Sequence, residues 1–255
     1  MNGKKDIILI AAFGMGRAAD YRATLDKLRQ EIGNEWPDHL VYACATSGRM
    51  RAALAEQNLF LPAPEQVLSL FAGQGGRALT VLPTQLLPGA DYARLTDAVR
   101  QNFAGPARLL PPLLGEETGR AALARHLAAL PDGGGQTLWM GHGSEEGRAD
   151  ALYAQMEGAL DAIAPGRHLV ATAEGGRRLA DLLPRLTGRR VLLRPLLFAA
   201  GHHARVDLAG DGADSWRRQL EERGYEVACN LTGLGEMEPV RALYRAQLRR
   251  ALSER

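Results

Sequence analysis

His-Leu-Val-Tyr-Ala-Cys-Ala-Thr-Ser-Gly-Arg-Met-Arg (His39–Arg51) and His-Leu-Val-Ala-Thr-Ala-Glu-Gly-Gly-Arg-Arg-Leu (His168–Leu179) are two versions of one pattern. Each is a short apolar run that stops at a glycine–arginine turn, as a buried parallel strand does when it enters a loop. The likeness extends on both sides. Upstream, the apolar run Asp6–Ala12 reaches Ala12-Phe13-Gly14, and Thr137–Met140 reaches Gly141-His142-Gly143. Downstream, Pro83 and Gly89 fall on Pro195 and Gly201. Leu-Pro-Pro-Leu-Leu-Gly-Glu ending at Glu116 is answered by Asn-Leu-Thr-Gly-Leu-Gly-Glu ending at Glu236.

The intervening segments carry apolar residues at helical spacing, as in Arg17–Ile32 (Tyr21, Leu25, Leu28, Ile32). Further strands are expected at Leu40–Ala45, Ala78–Leu82, Arg108–Leu110, Leu169–Thr172 and Arg190–Phe198. Strands alternating with helices imply βαβ units and parallel sheets. The expected fold is therefore α/β: two similar parallel-sheet lobes made by internal duplication, with a cleft between them. The Pro-Asp-Gly-Gly-Gly run through Asp132–Gly135 is the natural linker, placing the lobes at 1–131 and 132–255. Strand carboxyl ends and helix amino ends facing a cleft are where open α/β sheets bind ligands.

Composition narrows the function. The chain has 255 residues and a formal net charge of +2, with no basic stripe interleaved with aromatics, so nucleic acid is not an expected partner. Lysine occurs only at positions 4, 5 and 27, which leaves arginine to carry nearly all the positive charge. Arginine's planar fork suits carboxylates and phosphates, and a GC-rich genome gives the same bias. The two cysteines, Cys44 and Cys229, exclude a disulfide framework and an all-cysteine metal site. No apolar run approaches the roughly 20 residues of a membrane-spanning helix, so no membrane partner is expected and the reading is cytoplasmic.

Comparing the lobes picks out the chemistry. Phe13 in the first corresponds to His142 in the second, Thr46 to Glu174, and Ala90-Asp91 to His202-His203. The second lobe thus puts a metal-competent group at three strand ends. Two imidazoles and a carboxylate are a first shell for Zn, Co, Fe or Ni with positions left open. Each residue alone has a bland alternative as an ordinary loop side chain; their coincidence favours a site. The glycines flanking His142 let another molecule approach the backbone closely. His39 and His168, which precede strands, and His126, on a helix, read as surface residues. Arginines and helix starts at Gly14–Arg17, Ser47–Arg49 and Gly175–Arg177 are candidates to receive anionic groups.

Three other motifs lead nowhere. Gly14-Met15-Gly16-Arg17-Ala18-Ala19 fits G-x-G-x-x-A, but the next strand ends Ala45-Thr46-Ser47 with no acidic residue for a ribose. A phosphate-binding G-x-x-x-x-G-K-[ST] is missing from the sequence, so no nucleotide is expected. Thr46-Ser47-Gly48 is no nucleophile elbow; it reads as a helix cap or an anion contact.

Taken together, Phe-Gly-Met-Gly near the start, Ala45–Gly48, Met140–Gly143, Ala173–Gly175, the run from Ala200 to Trp216 and Leu231–Glu236 resemble the anaerobic sirohydrochlorin cobaltochelatase (CbiK) family. The resemblance runs from about Asp6 to Leu252. It implies a chelatase-like fold with a tetrapyrrole in the cleft and ATP-independent insertion of Co(II) as substrate. It also implies metal binding by His142, Glu174 and His203, with His142 catalytic. Phe13, Gly14, Met15, Gly16, Ser47 and Gln85 fall on substrate-contacting positions. His202 stands where the family usually has an acidic residue, and His202 and Asp207 are candidates for an extra ligand or a group behind the ligands. Gln85 stands where relatives often carry histidine, so haem is not expected. Insertion of Fe(II) or Ni(II), a non-catalytic tetrapyrrole or metal carrier, and a homo-oligomer all stay open.

Overall fold

A computed structural model describes residues 5–71, 77–144 and 149–254. In chain order the first half runs β1 (Ile7–Ala12), α1 (Ala18–Tyr21), a π-turn (Arg22–Asp26), α2 (Lys27–Glu35), β2 (Leu40–Ala45), α3 (Gly48–Ala55), α4 (Pro64–Ser69), β3 (Leu79–Pro83), α5 (Ala90–Asn102), β4 (Ala107–Leu109) and α6 (Glu117–Ala128). The second half runs β5 (Gln136–Gly143), α7 (Asp150–Asp161), β6 (His168–Glu174), α8 (Leu179–Leu182), β7 (Arg190–Pro195), a π-turn (His203–Leu208), α9 (Trp216–Glu221), β8 (Glu226–Cys229) and α10 (Glu238–Ser253).

The strands form two four-stranded parallel sheets of like topology, ordered β2-β1-β3-β4 and β6-β5-β7-β8. This is the expected two-lobe α/β duplication. Every residue of β1 is buried, as a central parallel strand covered on both faces requires. Ile7, Leu9 and Ala11 pack with Val67, Leu68, Val81, Leu95 and Val99; Leu138 and Met140 of β5 pack with Leu169, Leu193, Leu208 and Leu220. Fully burying one such aliphatic side chain contributes about 1.5–3 kcal/mol, so these clusters hold the sheets against their helices.

The packing divides the chain at other points than the glycine linker. One compact unit comprises Met1–Leu113 with Arg241–Arg255, the other Leu114–Val240. The boundary expected at 131 thus gives way to an exchange of final helices. α6, which follows the first sheet, packs beside α7 in the second unit. Most of α10, which follows the second sheet, belongs to the first. There the buried Arg241 donates from Nε to Glu31 at 2.8 Å, Gln247 donates to the Pro111 carbonyl at 2.7 Å, and Arg249 pairs with Glu35. A linker glycine run is visible in sequence; which sheet an amphipathic helix covers depends on these distant partners.

The third strand of the second sheet is shorter than its apolar run. Pairing stops at Pro195, and residues beyond it leave the sheet. His168 is also displaced from its expected surface place, being 3% exposed inside β6. Its Nδ1 lies 3.3 Å from Trp139 Nε1, which donates to it, and Arg194 sits over the Trp139 ring at 5.8 Å. Arg194 also donates to the Pro131 carbonyl at 3.0 Å, tying the linker to β7.

Burial lowers the pKa of His168 below its ordinary value, with Arg167 and Arg194 acting in the same direction and Asp132 against it. The unfolded chain binds this proton near pH 6.5 whereas the folded one resists it, so stability is full above about pH 6.5 and falls as pH drops below it. Denaturant unfolding from pH 7.5 downward is expected to show this fall, at a slope of up to about 1.4 kcal/mol per pH unit for one proton. His168→Gln is expected to flatten that part of the profile; an unchanged profile would contradict it.

Candidate metal centre

The carboxyl ends of β5, β6 and β7 lie side by side because the strands are parallel and β5 pairs with both neighbours. His142 sits in the last turn of β5, Glu174 ends β6, and His203 opens the π-turn that follows β7. One ligand atom from each of His142, Glu174 and His203 lies within 4.8 Å of the other two. The imidazole rings of His142 and His203 are 4.6 Å apart and nearly perpendicular, at 80°. His142 Nδ1 is 3.9 Å from Glu174 Oε2, and these side chains are 47% and 41% exposed. Two nitrogens and a carboxylate converging at that spacing suit a borderline divalent ion, and their exposure leaves room for a further ligand.

The two glycines beside His142 have a different use from the one expected. The space they leave is filled by the protein itself. A Cβ on Gly141 would come within 2.3 Å of the Tyr153 ring, and one on Gly143 within 1.7 Å of the Glu174 carbonyl oxygen. Gly143 also has φ +85°, a left-handed conformation that side chains disfavour. The backbone of the His142 segment therefore lies directly against Glu174 on one side and Tyr153 on the other.

Tyr153, from α7, is a residue of this site that sequence reading missed. It is 1% exposed, and its hydroxyl accepts from the backbone N–H of His142 at 3.1 Å and of Gly143 at 3.4 Å. Burial pushes its pKa up to about 12, so it remains a neutral phenol. The one signal in the sequence was Gly141, whose missing side chain makes room for the ring.

Sheet register also corrects one correspondence between the lobes. Ala12 pairs with Ala45, whereas Gly141 pairs with Thr172. With Phe13 matched to His142, Glu174 then matches Ser47 and not Thr46. Ser47 itself caps α3, its Oγ accepting from Met50 N at 3.3 Å.

The other expected contacts of the first unit lie at the strand ends of β1, β2 and β3. Phe13 is 40% exposed, whereas Met15 is 3% exposed and packs inward, so its side chain is not presented to a substrate. Gly14, with φ +125°, lets Met50 approach; an added Cβ would lie 2.7 Å from Met50 Cβ. A Cβ added to Gly16 would lie 3.8 Å from the Met50 sulfur, an ordinary contact distance. Both polar atoms of the Gln85 amide are buried with no hydrogen-bond partner among the described residues. In the second unit, Arg177 donates to Glu157 at 2.9 Å and to the Val170 carbonyl at 2.9 Å. His202 is exposed, with its ring 6.0 Å from that of His203, and stands outside the three-residue cluster.

Comparison with known proteins agrees with this architecture. The family model "Cobalt chelatase (CbiK)" matches residues 6–253. The chain is 30% identical over 242 residues to "Sirohydrochlorin cobaltochelatase CbiKC" of Nitratidesulfovibrio vulgaris, covering 91% of this chain and 85% of that protein. It is 27% identical over 259 residues to "Sirohydrochlorin cobaltochelatase" of Salmonella typhimurium, covering 98% and 97%. Among solved structures, SirB from Bacillus subtilis with Fe3+ superposes with a TM-score of 0.66 at 12% identity, covering 96% of this chain and 95% of that one. DR2241 from Deinococcus radiodurans, described as similar to chelatases, gives 0.58 at 18% identity, covering 96% and 54%. Among the described residues no helix is long and apolar enough to cross a membrane.

Tyr153→Phe leaves two backbone N–H groups at the His142 turn without their acceptor. It is expected to lower stability by about 1–3 kcal/mol and to weaken Co(II) binding about tenfold, read by denaturant unfolding and metal titration. Gly143→Ala is expected to be worse on both counts, since the added methyl collides with the Glu174 backbone. Unchanged metal affinity in both variants would show that the His142 turn does not need this packing.

Proposed function

The chain belongs to the cobalt chelatase (CbiK) family, and from that premise we propose that this tetrapyrrole chelatase inserts Co(II) into sirohydrochlorin without ATP. The observation that carries the reading is the convergence of His142, Glu174 and His203 from three adjacent strand ends. Relatives matched over nearly the whole chain are named for the same reaction. No phosphate-binding loop occurs in the sequence, which supports independence from ATP.

Insertion exchanges two pyrrole N–H protons for one divalent ion. In this reading His142, Glu174 and His203 hold the incoming ion as substrate and replace part of its water shell. The carboxylate offsets part of the charge, and the imidazoles bind through nitrogen. His142 is also the proton acceptor, since the lone pair of a neutral imidazole nitrogen can take a proton. One nitrogen cannot bind metal and proton together. His142 therefore accepts the proton as the ion passes to the macrocycle, and the second proton leaves to solvent. Phe13, Gly14, Gly16, Ser47 and Gln85 remain part of the proposal as macrocycle contacts, on the strength of their strand-end positions. Donors of this type do not discriminate strongly among Co(II), Fe(II) and Ni(II).

The test is an anaerobic assay of purified protein with sirohydrochlorin and each of Co(II), Fe(II) and Ni(II), followed by the macrocycle's absorption. Insertion is expected to run fastest with Co(II), unaffected by added ATP. His142→Ala and His203→Ala are each expected to reduce the rate by about 100-fold or more with the fold intact. Near-normal rates in both variants would defeat the assignment. Tight tetrapyrrole binding with no acceleration by the wild-type protein would identify a carrier.

A further inference from the structure

The two histidines of the cluster are held in different ways. His203 Nδ1 lies 2.5 Å from Asp207 Oδ2, four residues on in the same π-turn. His142 Nδ1 faces the Gly143 carbonyl at 3.4 Å and Glu174 at 3.9 Å, and has no comparably short partner. Among the described residues the Asp207 carboxylate makes no other hydrogen bond. A carboxylate can only accept, so the proton of that contact is on Nδ1, and in the neutral ring that can bind a metal Nε2 is the nitrogen with the free lone pair.

We propose that Asp207 is a positioning residue: it holds His203 in the Nδ1–H tautomer and aims Nε2 at the space shared with His142 and Glu174. Three observations support this. The π-turn, a form of helix often found at functional sites, brings residues 203 and 207 to one side. Neighbouring His202, without such a partner, stands outside the cluster. The Asp207 side chain is 39% exposed and that of His203 25%, so the pair is not a core ion pair on which folding depends. A carboxylate behind a metal-binding imidazole fixes the ring and strengthens the donor nitrogen. The consequence is a division of labour, with His203 a fixed ligand and His142 free to exchange metal for proton. The inference rests on the metal-holding role proposed above.

The test uses Co(II) alone, titrated anaerobically into the full chain and followed by the visible absorption of the bound ion. His203→Ala, Asp207→Ala and Asp207→Asn are compared, with thermal unfolding as a control. Asp207→Ala is expected to weaken Co(II) binding about 10–100-fold with an unchanged unfolding temperature. Asp207→Asn, which keeps an accepting oxygen, is expected to restore most of the affinity and the wild-type spectrum. In metal insertion, the KM for Co(II) is expected to rise in Asp207→Ala more than kcat falls. Wild-type affinity and spectrum in Asp207→Ala would overturn the inference, as would an Asn variant no better than Ala. His203→Ala separates the two readings: if it leaves Co(II) binding intact, the metal-holding role itself fails. If only His203→Ala weakens binding, the role of Asp207 fails alone.

Discussion

Parallel hydrogen bonding of β5 to β6 on one side and to β7 on the other is the interaction on which the candidate site depends. In a parallel sheet the carboxyl ends share one edge, so His142 and Glu174 finish side by side, with the chain leaving β7 at that same edge before it reaches His203. None of these residues is deeply buried. The meeting of His142 and Glu174 follows from the pairing of β5 with β6, whereas His203 is brought to them by the segment after β7 and its π-turn. Two of the three candidate ligands, His142 and Glu174, therefore stand on the sheet itself, at its exposed rim.

At that rim the fit is set by backbone packing more than by side-chain contacts. Gly143 allows the chain after His142 to touch the Glu174 carbonyl, and Gly141 allows Tyr153 beneath it. The Tyr153 hydroxyl then occupies two N–H groups that a strand end would otherwise leave to water. Asp207 acts similarly for His203 through the ring. Support for one histidine comes through its backbone and for the other through its side chain.

The duplication is instructive because its halves diverged where it matters. Both sheets have the same strand order, and both halves send their last helix to the other unit. Yet the strand ends of the first unit carry Phe13, a capping Ser47 and the start of α5, whereas those of the second lead to the candidate ligands His142, Glu174 and His203. Family membership is consistent with that asymmetry, since the match spans residues 6–253, covering both halves.

Much of this was legible in the amino-acid sequence. Continuous apolar runs ending in glycine turns mark buried parallel strands, and the repeat of His39–Arg51 in His168–Leu179 reveals the duplication. Residues substituted between the repeats then single out His142, Glu174 and His203. Local pattern suffices there because strand burial and turn chemistry are written in neighbouring residues. Tertiary structure alone decided that α10 packs with the first unit, Arg241 pairing with Glu31 of α2, that Glu174 answers Ser47, and that His168 is buried beside Trp139. It also decided that the glycines around His142 admit Tyr153 and a carbonyl group and not a ligand. Each of these is a contact between residues far apart in the chain or a matter of sheet register, and neither leaves a periodic trace in the sequence.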